Sequence, residues 1–262
     1  MMKRLLALGT AAALALGLAV PAAASQLDDI LEKKKITIAV PQDFAPFGSV
    51  GPDLQPEGYD IDVAKLIAEN MGVEVELVPV SSANRIPYLQ TGKVDLVISS
   101  MGATPERAKA IWFTAAYAPF FSAAYGADDL AVSSVADLAG KSVGVTRGSV
   151  EDIEISRLVS EDADVKRYED NGTTIAAYLS GQVDVLVTGN VVAAKIAKDM
   201  PDAQVSRKFV LRNSPCFIGL KKGDVDLLQW LNVFIMQKKI NGELDALAVK
   251  WFGETLPDLP TL

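Results

Sequence analysis

Short apolar runs alternate with amphipathic stretches along most of the chain. Residues 35–40 (KITIAV) predict a buried strand, and residues 60–71 (DIDVAKLIAENM) place apolar side chains at helical spacing. Gly72 follows and predicts the end of that helix, because glycine readily adopts the left-handed backbone of a helix cap. The next predicted elements are strands at 73–80 and 94–99 and a helix at 84–90.

The same pattern begins again after Gly140. The elements predicted there are strands at 141–145, 165–168 and 183–188, helices from Ser149 and at 173–179, and two final helices at 224–239 and 243–251. Alternating strands and helices are typical of parallel sheets covered by helices on both faces. The sequence therefore predicts an α/β fold.

Two segments of this pattern match each other in register. Residues 92–99 (GKVDLVIS) and 181–188 (GQVDVLVT) lie 89 residues apart, and each follows a predicted helix by a tight turn. Any helix–turn–strand unit can converge on such a pattern; the alternative is two lobes of similar build. Two facing lobes would enclose one site, because ligands of open α/β sheets lie beyond the carboxyl ends of the strands.

The two-lobe interpretation predicts how the chain divides. Residues 25–120 and 217–262 form lobe one, and residues 121–216 form lobe two. The candidate strands that cross between the lobes are residues 119–122 and 213–218.

Composition then limits the chemistry. The 262 residues include 25 basic and 33 acidic side chains, a net charge of −8, which argues against a nucleic-acid or anionic-membrane partner. There is no His and only one Cys, which excludes Ser-His-Asp and Cys-His catalytic units, His-ligated metals and an internal disulfide. We predict no metal and no cofactor.

The first 24 residues have the pattern of a secretory signal. Lys3 and Arg4 precede an apolar stretch at 5–20, and small residues at 21–24 provide a cleavage site. The alternative is a membrane anchor, but the stretch is short for a span of about 20 residues. We therefore expect a soluble, periplasmic mature protein.

A candidate anion site follows the strand at 94–99. Thr104 and Pro105 are typical of the first positions of a helix, whose free N–H groups favour an anion. Arg107 could hold a carboxylate through two parallel hydrogen bonds. The alternative is an ordinary surface ion pair of this arginine.

Six ordered segments make the chain resemble a known family, the family 3 solute-binding proteins, which are polar amino-acid receptors of ABC importers. The segments are 58–65 (GYDIDVAK), 85–95 (RIPYLQTGKVD), 99–107 (SSMGATPER), 112–117 (WFTAAY), 136–145 (ADLAGKSVGV) and 250–253 (KWFG). The resemblance implies the type II periplasmic binding protein fold, with two lobes that are joined by two crossing strands and close on a small-molecule ligand. It also implies an ABC permease as partner, and we expect a monomer.

The resemblance also implies a ligand site. Its residues are Phe44, Ser82, Arg85, Ser99, Ser100, Gly102, Arg107, Thr146, Ser149 and Asn171. Arg107 would hold the ligand α-carboxylate with Ser100 and the N–H of Gly102, and Ser149 would add a contact from lobe two. Phe44 would pack against the ligand, although it could equally belong to the core.

Side-chain specificity is implied by the segment around Ser82 and Arg85. It is similar to the aspartate/glutamate-binding branch, where the matching residues contact the acidic side chain, and Asn171 falls where that branch carries a donor. A second guanidinium in the cleft would suit a second carboxylate. The alternative is that Arg85 is a solvated helix residue.

Two positions depart from the family pattern. Gly189 stands where an Asp usually holds the ligand ammonium, and Pro41 stands where the acidic branch can carry another Arg. The ammonium would then need Glu151, Asp43 or Asp170. The ligand is accordingly either an acidic amino acid held unconventionally or a carboxylate without an ammonium, such as a dicarboxylic acid.

An enzyme is the main rival interpretation. Cyclohexadienyl dehydratases look like this family and use the same cleft. Catalysis needs an acid or base poised near neutral pH, and Glu151 and Glu154 are the obvious candidates by position. Because glutamates on exposed helices are usually solvated, we favour a receptor.

Overall fold

The computed structural model describes residues 25–260. The predicted secretory signal at 1–24 lies outside these residues. In the described part of the chain, no helix is long and apolar enough to cross a membrane.

Strands and helices alternate as the sequence predicts. The strands are β1 (Lys35–Val40), β2 (Asp43–Phe44), β3 (Gly48–Val50), β4 (Pro56–Glu57), β5 (Glu74–Pro79), β6 (Leu96–Val97), β7 (Trp112–Ala118), β8 (Phe121–Gly126), β9 (Ser142–Thr146), β10 (Asp164–Tyr168), β11 (Val185–Gly189), β12 (Ser206–Asn213) and β13 (Cys216–Leu220). The helices are α1 (Gln26–Lys33), α2 (Tyr59–Met71), α3 (Arg85–Gln90), α4 (Pro105–Ala108), α5 (Val150–Leu158), α6 (Asn171–Leu179), α7 (Asn190–Asp199), α8 (Val225–Ile240) and α9 (Glu243–Phe252). Short 3-10 helices are found at Ser82–Asn84 and Val135–Leu138.

Two five-stranded sheets repeat one topology. Their strand orders are β5-β1-β6-β13-β7 and β10-β9-β11-β8-β12. In each sheet the first three strands are parallel, the fourth runs antiparallel, and the fifth is antiparallel to the fourth. Four of five strands therefore point the same way, which confirms the predicted α/β fold of two mostly parallel sheets.

The reversed strand of each sheet comes from the chain as it crosses from the other sheet. β7 of the first sheet leads into β8 of the second, and β12 of the second leads into β13 of the first. The predicted crossing strands at 119–122 and 213–218 were wrong in detail, because both are interrupted, at Pro119–Phe120 and at Ser214–Pro215. A proline has no N–H to give to a sheet, and β7 ends beside Pro119 while β13 begins beside Pro215. The exact lobe boundaries stay predictions.

Other boundaries differ from the predicted ones by a few residues. The strand predicted at 94–99 is only two residues long, and the helix predicted at 84–90 is preceded by the 3-10 turn Ser82–Asn84. Thr104 begins α4 as predicted, since its side chain accepts a hydrogen bond from the N–H of Arg107 at 3.1 Å. Gly72 ends α2 with a φ of 67°.

The carboxyl-terminal helices pack on the first sheet. The ring of Phe252 lies 4.6 Å from that of Tyr59 at the start of α2, measured between centroids. Asp62 accepts hydrogen bonds from Lys250 and from the indole N–H of Trp251, at 2.6 and 2.7 Å. α9 is therefore fixed to the lobe built on the first sheet, although the chain reaches it only after completing the second.

The crossing residue Phe120 packs directly over Gly189. A Cβ atom at Gly189 would lie 2.2 Å from Cε2 of the Phe120 ring. The backbone of Gly189 has φ −75° and ψ 148°, which any residue can adopt. Space, and not backbone conformation, therefore requires glycine at this strand end.

We expect Gly189→Ala to lower the free energy of unfolding by about 1–3 kcal/mol, because the added methyl group overpacks the contact with Phe120. Denaturant unfolding of four proteins measures it: wild type, Gly189→Ala, Phe120→Leu and the double variant. The Gly189→Ala penalty should shrink in the Phe120→Leu background, since contacting residues are not additive. An equal penalty in both backgrounds would contradict this contact.

Candidate functional site

The carboxyl ends of the strands from both sheets face one cleft. Segments after β1, β5 and β6 meet segments after β9 and β10, and the two crossing connections lie at its base. The residues that line the enclosed cavity are Phe44, Ser82, Arg85, Ser100, Gly102, Phe120, Ser149, Val150, Glu151, Asn171 and Ser214. The cavity measures only about 20 Å³. That is room for about one water molecule, so a larger solute does not fit between the lobes in this arrangement.

Arg85 places a guanidinium in the cavity wall. Its side chain is buried, with the residue 5% exposed, so the prediction's alternative of a solvated helix residue is excluded. Its Nε–H donates to the hydroxyl of Ser99 at 3.1 Å, which is the one hydrogen bond of this guanidinium within residues 25–260. Burial lowers the pKa of Arg85, while the charges of Glu151 and Asp60 oppose that shift. Both Nη groups remain available to an acceptor in the cavity.

Ser100 has a strained backbone that is held by a buried carboxylate. Its φ is 41°, in the left-handed region that non-glycine residues rarely adopt. Its N–H donates to Oδ2 of Asp60 at 2.7 Å, and Tyr117 donates its hydroxyl to Oδ1 at 2.7 Å. Burial raises the pKa of Asp60 to about 7, although these hydrogen bonds and Arg85 act to lower it.

Arg107 connects the two lobes. Its Nη1 donates to the carbonyl of Gly102 at 2.8 Å, and its Nη2 donates to the carbonyl of Gly148 across the cleft at 2.9 Å. Burial and the nearby charge of Arg85 together lower the pKa of Arg107 to about 10, so the group stays protonated at neutral pH. The guanidinium is buried beside the cavity but is not part of its lining.

The amino terminus of α5 supplies the opposite wall. Ser149 is its N-cap, and its hydroxyl accepts from the N–H of Asp152 at 3.0 Å. Gly148 approaches Ala83 of the other lobe, where a Cβ on Gly148 would lie 3.0 Å from the Cα of Ala83, and its φ of 71° also favours glycine. Glu151, in the first turn of α5, lines the cavity two residues after Ser149.

Glu151 is a buried acid with an unsatisfied oxygen. The residue is 7% exposed, and Oε1 has no hydrogen-bond partner among the described residues. Burial raises the pKa of its carboxyl, while Ser149 and the charges of Arg107 and Arg85 lower it. Glu154, one turn later, is instead ion-paired to Arg157 and Arg212.

Asn171 and Gly172 connect α6 to the first lobe. The side-chain Nδ2 of Asn171 donates to Oδ1 of Asp43 at 3.2 Å, and the N–H of Gly172 donates to Oδ2 at 2.8 Å. A carboxylate from one lobe thus contacts a helix amino terminus of the other, an arrangement favoured by the helix dipole. Asn171 was expected to reach the ligand; it lines the cavity, but its amide already has this partner.

The structure brings most of the predicted site residues together. Those that line the cavity are Phe44, Ser82, Arg85, Ser100, Gly102, Ser149 and Asn171. Ser99, Arg107 and Thr146 lie outside the lining. Ser99 supports Arg85, and Thr146 shares a hydrogen bond with Thr174, at 2.9 Å between hydroxyl oxygens.

Sequence reasoning did not assign Phe120, Val150 and Ser214 to the site. Phe120 and Ser214 lie in the crossing connections, and a Cβ on Gly102 would lie 2.2 Å from Oγ of Ser214. The sequence signal for Phe120 and Ser214 was the proline beside each of them, which marks a break in the strands. Within residues 25–260, no group of three or more potential ligands could hold a metal ion.

Comparisons with known proteins agree with this geometry. Residues 36–254 match bacterial extracellular solute-binding proteins, family 3. The L-cystine-binding protein TcyJ of Escherichia coli K12 is 26% identical over 93% of this chain and 92% of that protein. The ABC transporter glutamine-binding protein GlnH of Bacillus subtilis is 31% identical over 86% of this chain and 84% of that protein.

A solved structure is similar throughout. The ancestral amino acid-binding protein AncCDT-1, a precursor of cyclohexadienyl dehydratase, has a TM-score of 0.80 and 33% identity, and the match covers 87% of this chain and all of that one. Two facing lobes, a cleft at the strand ends and the family match over residues 36–254 lead to one assignment. The chain belongs to the family 3 extracellular solute-binding proteins.

Proposed function

We propose that the protein is a receptor that captures an acidic amino acid by lobe closure and delivers it to an ABC transporter permease. The observation that supports this most directly is the pair of buried guanidiniums, Arg85 and Arg107, at one cleft. A buried cation is stable only when it is paired, and a carboxylate matches the planar guanidinium with two parallel hydrogen bonds. Within residues 25–260 neither guanidinium has a carboxylate partner: Arg85 donates only to Ser99, and Arg107 donates only to main-chain carbonyls. We therefore propose that the ligand brings one carboxylate to each arginine.

The balance of charge favours an amino acid over a dicarboxylic acid. The cavity lining holds one basic side chain, Arg85, and one acidic side chain, Glu151, and Arg107 is buried beside it. Two arginines and one glutamate sum to about +1, which aspartate or glutamate neutralises and a dicarboxylate overcompensates. The relatives TcyJ and GlnH are named for cystine and glutamine, so the preference for an acid rests on the two arginines.

The remaining parts of the proposal rest on the family and on the sequence. Membership of a solute-binding family supports delivery to a permease, and residues 1–24 support export to the periplasm. We propose a monomer, in which one chain supplies both walls of the cleft.

Titration tests the choice of ligand. Refolded, ligand-stripped protein is titrated calorimetrically with L-aspartate, L-glutamate, L-glutamine, succinate and glutarate. We expect one acidic amino acid to bind at least about 10-fold more tightly than L-glutamine and the dicarboxylates. Tighter binding of glutamine would contradict the acidic preference, and tighter binding of a dicarboxylate would contradict the amino acid.

A dehydratase is the second candidate. A buried glutamate with a raised pKa, such as Glu151, could act as a general acid or base, and AncCDT-1 is a precursor of cyclohexadienyl dehydratase. However, AncCDT-1 is itself an amino acid-binding protein, and Glu154, the other candidate acid, is held by two arginines. Turnover of prephenate or arogenate by the purified protein would replace the receptor proposal.

Arg107→Ala should weaken binding of the preferred acidic amino acid by at least about 100-fold, because it removes a buried cation and the contact that joins Gly102 to Gly148. Calorimetric titration measures the change. Arg147→Ala is the matched control, since Arg147 pairs with Glu169 at the exposed surface and should leave affinity unchanged. An Arg107→Ala affinity within a few-fold of wild type would refute the role of this arginine.

Arg85→Ala should remove the preference for an acidic side chain. The affinity ratio of L-glutamate to L-glutamine should fall by about 10-fold or more, because the second carboxylate loses its cation. The comparison uses the same titrations, with thermal unfolding as a check that the variant is folded. A ratio equal to that of wild type would place the second carboxylate elsewhere.

A further inference from the structure

The α-ammonium of the bound amino acid needs an acceptor, and the end of β11 cannot supply one. Gly189 has no side chain, and the ring of Phe120 occupies the space in which one would grow, 2.2 Å from a Cβ. An ammonium enclosed in the cleft without an acceptor would lose its hydration with no compensating hydrogen bond. This inference rests on the proposed function in one respect, that the ligand is an amino acid.

Asp43 and Asp170, two of the three candidate carboxylates, already accept hydrogen bonds from α6. Both oxygens of Asp43 accept hydrogen bonds from α6, one from Asn171 and one from Gly172. Asp170 is the N-cap of α6, and its Oδ1 accepts from the N–H and the hydroxyl of Thr173, each at 2.7 Å. Neither residue lines the cavity.

Glu151 differs from Asp43 and Asp170 in its position, its burial and its hydrogen bonding. It lines the cavity, it is buried, and its Oε1 has no partner among residues 25–260. It lies in the first turn of α5, where the positive end of the helix dipole stabilises an ionised carboxylate before the ligand arrives. A buried acceptor left without a donor is costly unless a donor binds there.

We propose that Glu151 accepts the ligand α-ammonium, so that the acceptor comes from the amino terminus of α5 and not from the end of β11. Arg107 and Glu151 then bind the two charges of the amino-acid backbone, one from each lobe. Because Glu151 is brought into the cavity where Gly148 approaches Ala83, the ammonium contact forms only as the lobes close. Solutes that lack the amino group leave Glu151 unpaired and do not stabilise the closed arrangement.

Matched ligand pairs test this proposal. Calorimetry compares L-glutamate with glutarate, and L-glutamine with glutaramate, which differ only in the α-amino group. In wild type we expect the amino acid to bind at least about 100-fold more tightly than its partner. Glu151→Gln should reduce that ratio to within a few-fold by weakening the amino acid, and Glu151→Asp, which keeps the charge, should restore part of it.

Two variants of the rival carboxylates serve as controls. Asp170→Asn keeps the helix cap and should leave both affinities unchanged. Asp43→Asn weakens a contact between the lobes and should lower both affinities by the same factor, leaving the ratio intact. Thermal unfolding without ligand checks that Glu151→Gln, Asp43→Asn and Asp170→Asn are folded.

The outcomes separate this proposal from the proposed function. If L-glutamine binds and L-glutamate does not, the acidic preference fails, and the glutamine–glutaramate ratio in Glu151→Gln still decides the role of Glu151. The proposed role of Glu151 would be overturned if Glu151→Gln left the affinity ratio of amino acid to amino-free partner unchanged. It would also be overturned if Asp43→Asn or Asp170→Asn abolished that ratio. Tighter binding of glutarate than of either amino acid by wild type would overturn both proposals.

Discussion

The closed cleft depends on how one buried guanidinium, that of Arg107, is satisfied from both sides. An arginine keeps its proton under physiological conditions, so burying it requires acceptors. Those acceptors are main-chain carbonyls, one from Gly102 in the first lobe and one from Gly148 in the second. Arg85 and Glu151 line the same cavity, so the charges that a ligand would meet lie between the lobes.

The repeated topology explains why these groups meet at all. Each sheet takes its reversed strand from the chain as it crosses from the other sheet, which turns the carboxyl ends of both sheets towards one cleft. The crossing strands are interrupted beside Pro119 and Pro215, where the N–H of Ser214 donates to the carbonyl of Phe120 at 2.9 Å and both residues line the cavity. The connection between the lobes is therefore also part of the site.

Periodicity and cap residues were sufficient to predict the α/β class from the sequence, whereas the two-lobe type II fold was implied by the resemblance to a known family. The helices at α2 and α5 follow from apolar spacing and from Gly72 and Ser149, and all of these signals are local. β6 is shorter than its apolar run because pairing depends on its neighbours in the sheet, which the run does not encode.

The site was predictable only in part, because it also depends on contacts between distant segments. Ser100 and Arg85 were expected in the site because of the resemblance to a known family, and local pattern alone did not assign them a role. Glu151 is buried, with one unpaired oxygen, by segments that are far apart in the sequence. The sequence alone therefore could not distinguish it from Asp43 and Asp170 as the acceptor of a ligand ammonium.

The strained backbone of Ser100 shows how far the support of the cleft extends into the core. A φ of 41° costs of the order of 1–3 kcal/mol unless the surroundings impose it, and Asp60 does so by accepting from the Ser100 N–H. Asp60 is held in turn by the hydroxyl of Tyr117, whose carbonyl accepts from the hydroxyl of Tyr59 at 2.9 Å. Because a buried polar network is stable only when every member is paired, loss of any member would release Ser100 from the cavity wall. The geometry of the cleft is thus set within the core of the first lobe, by residues that no ligand touches.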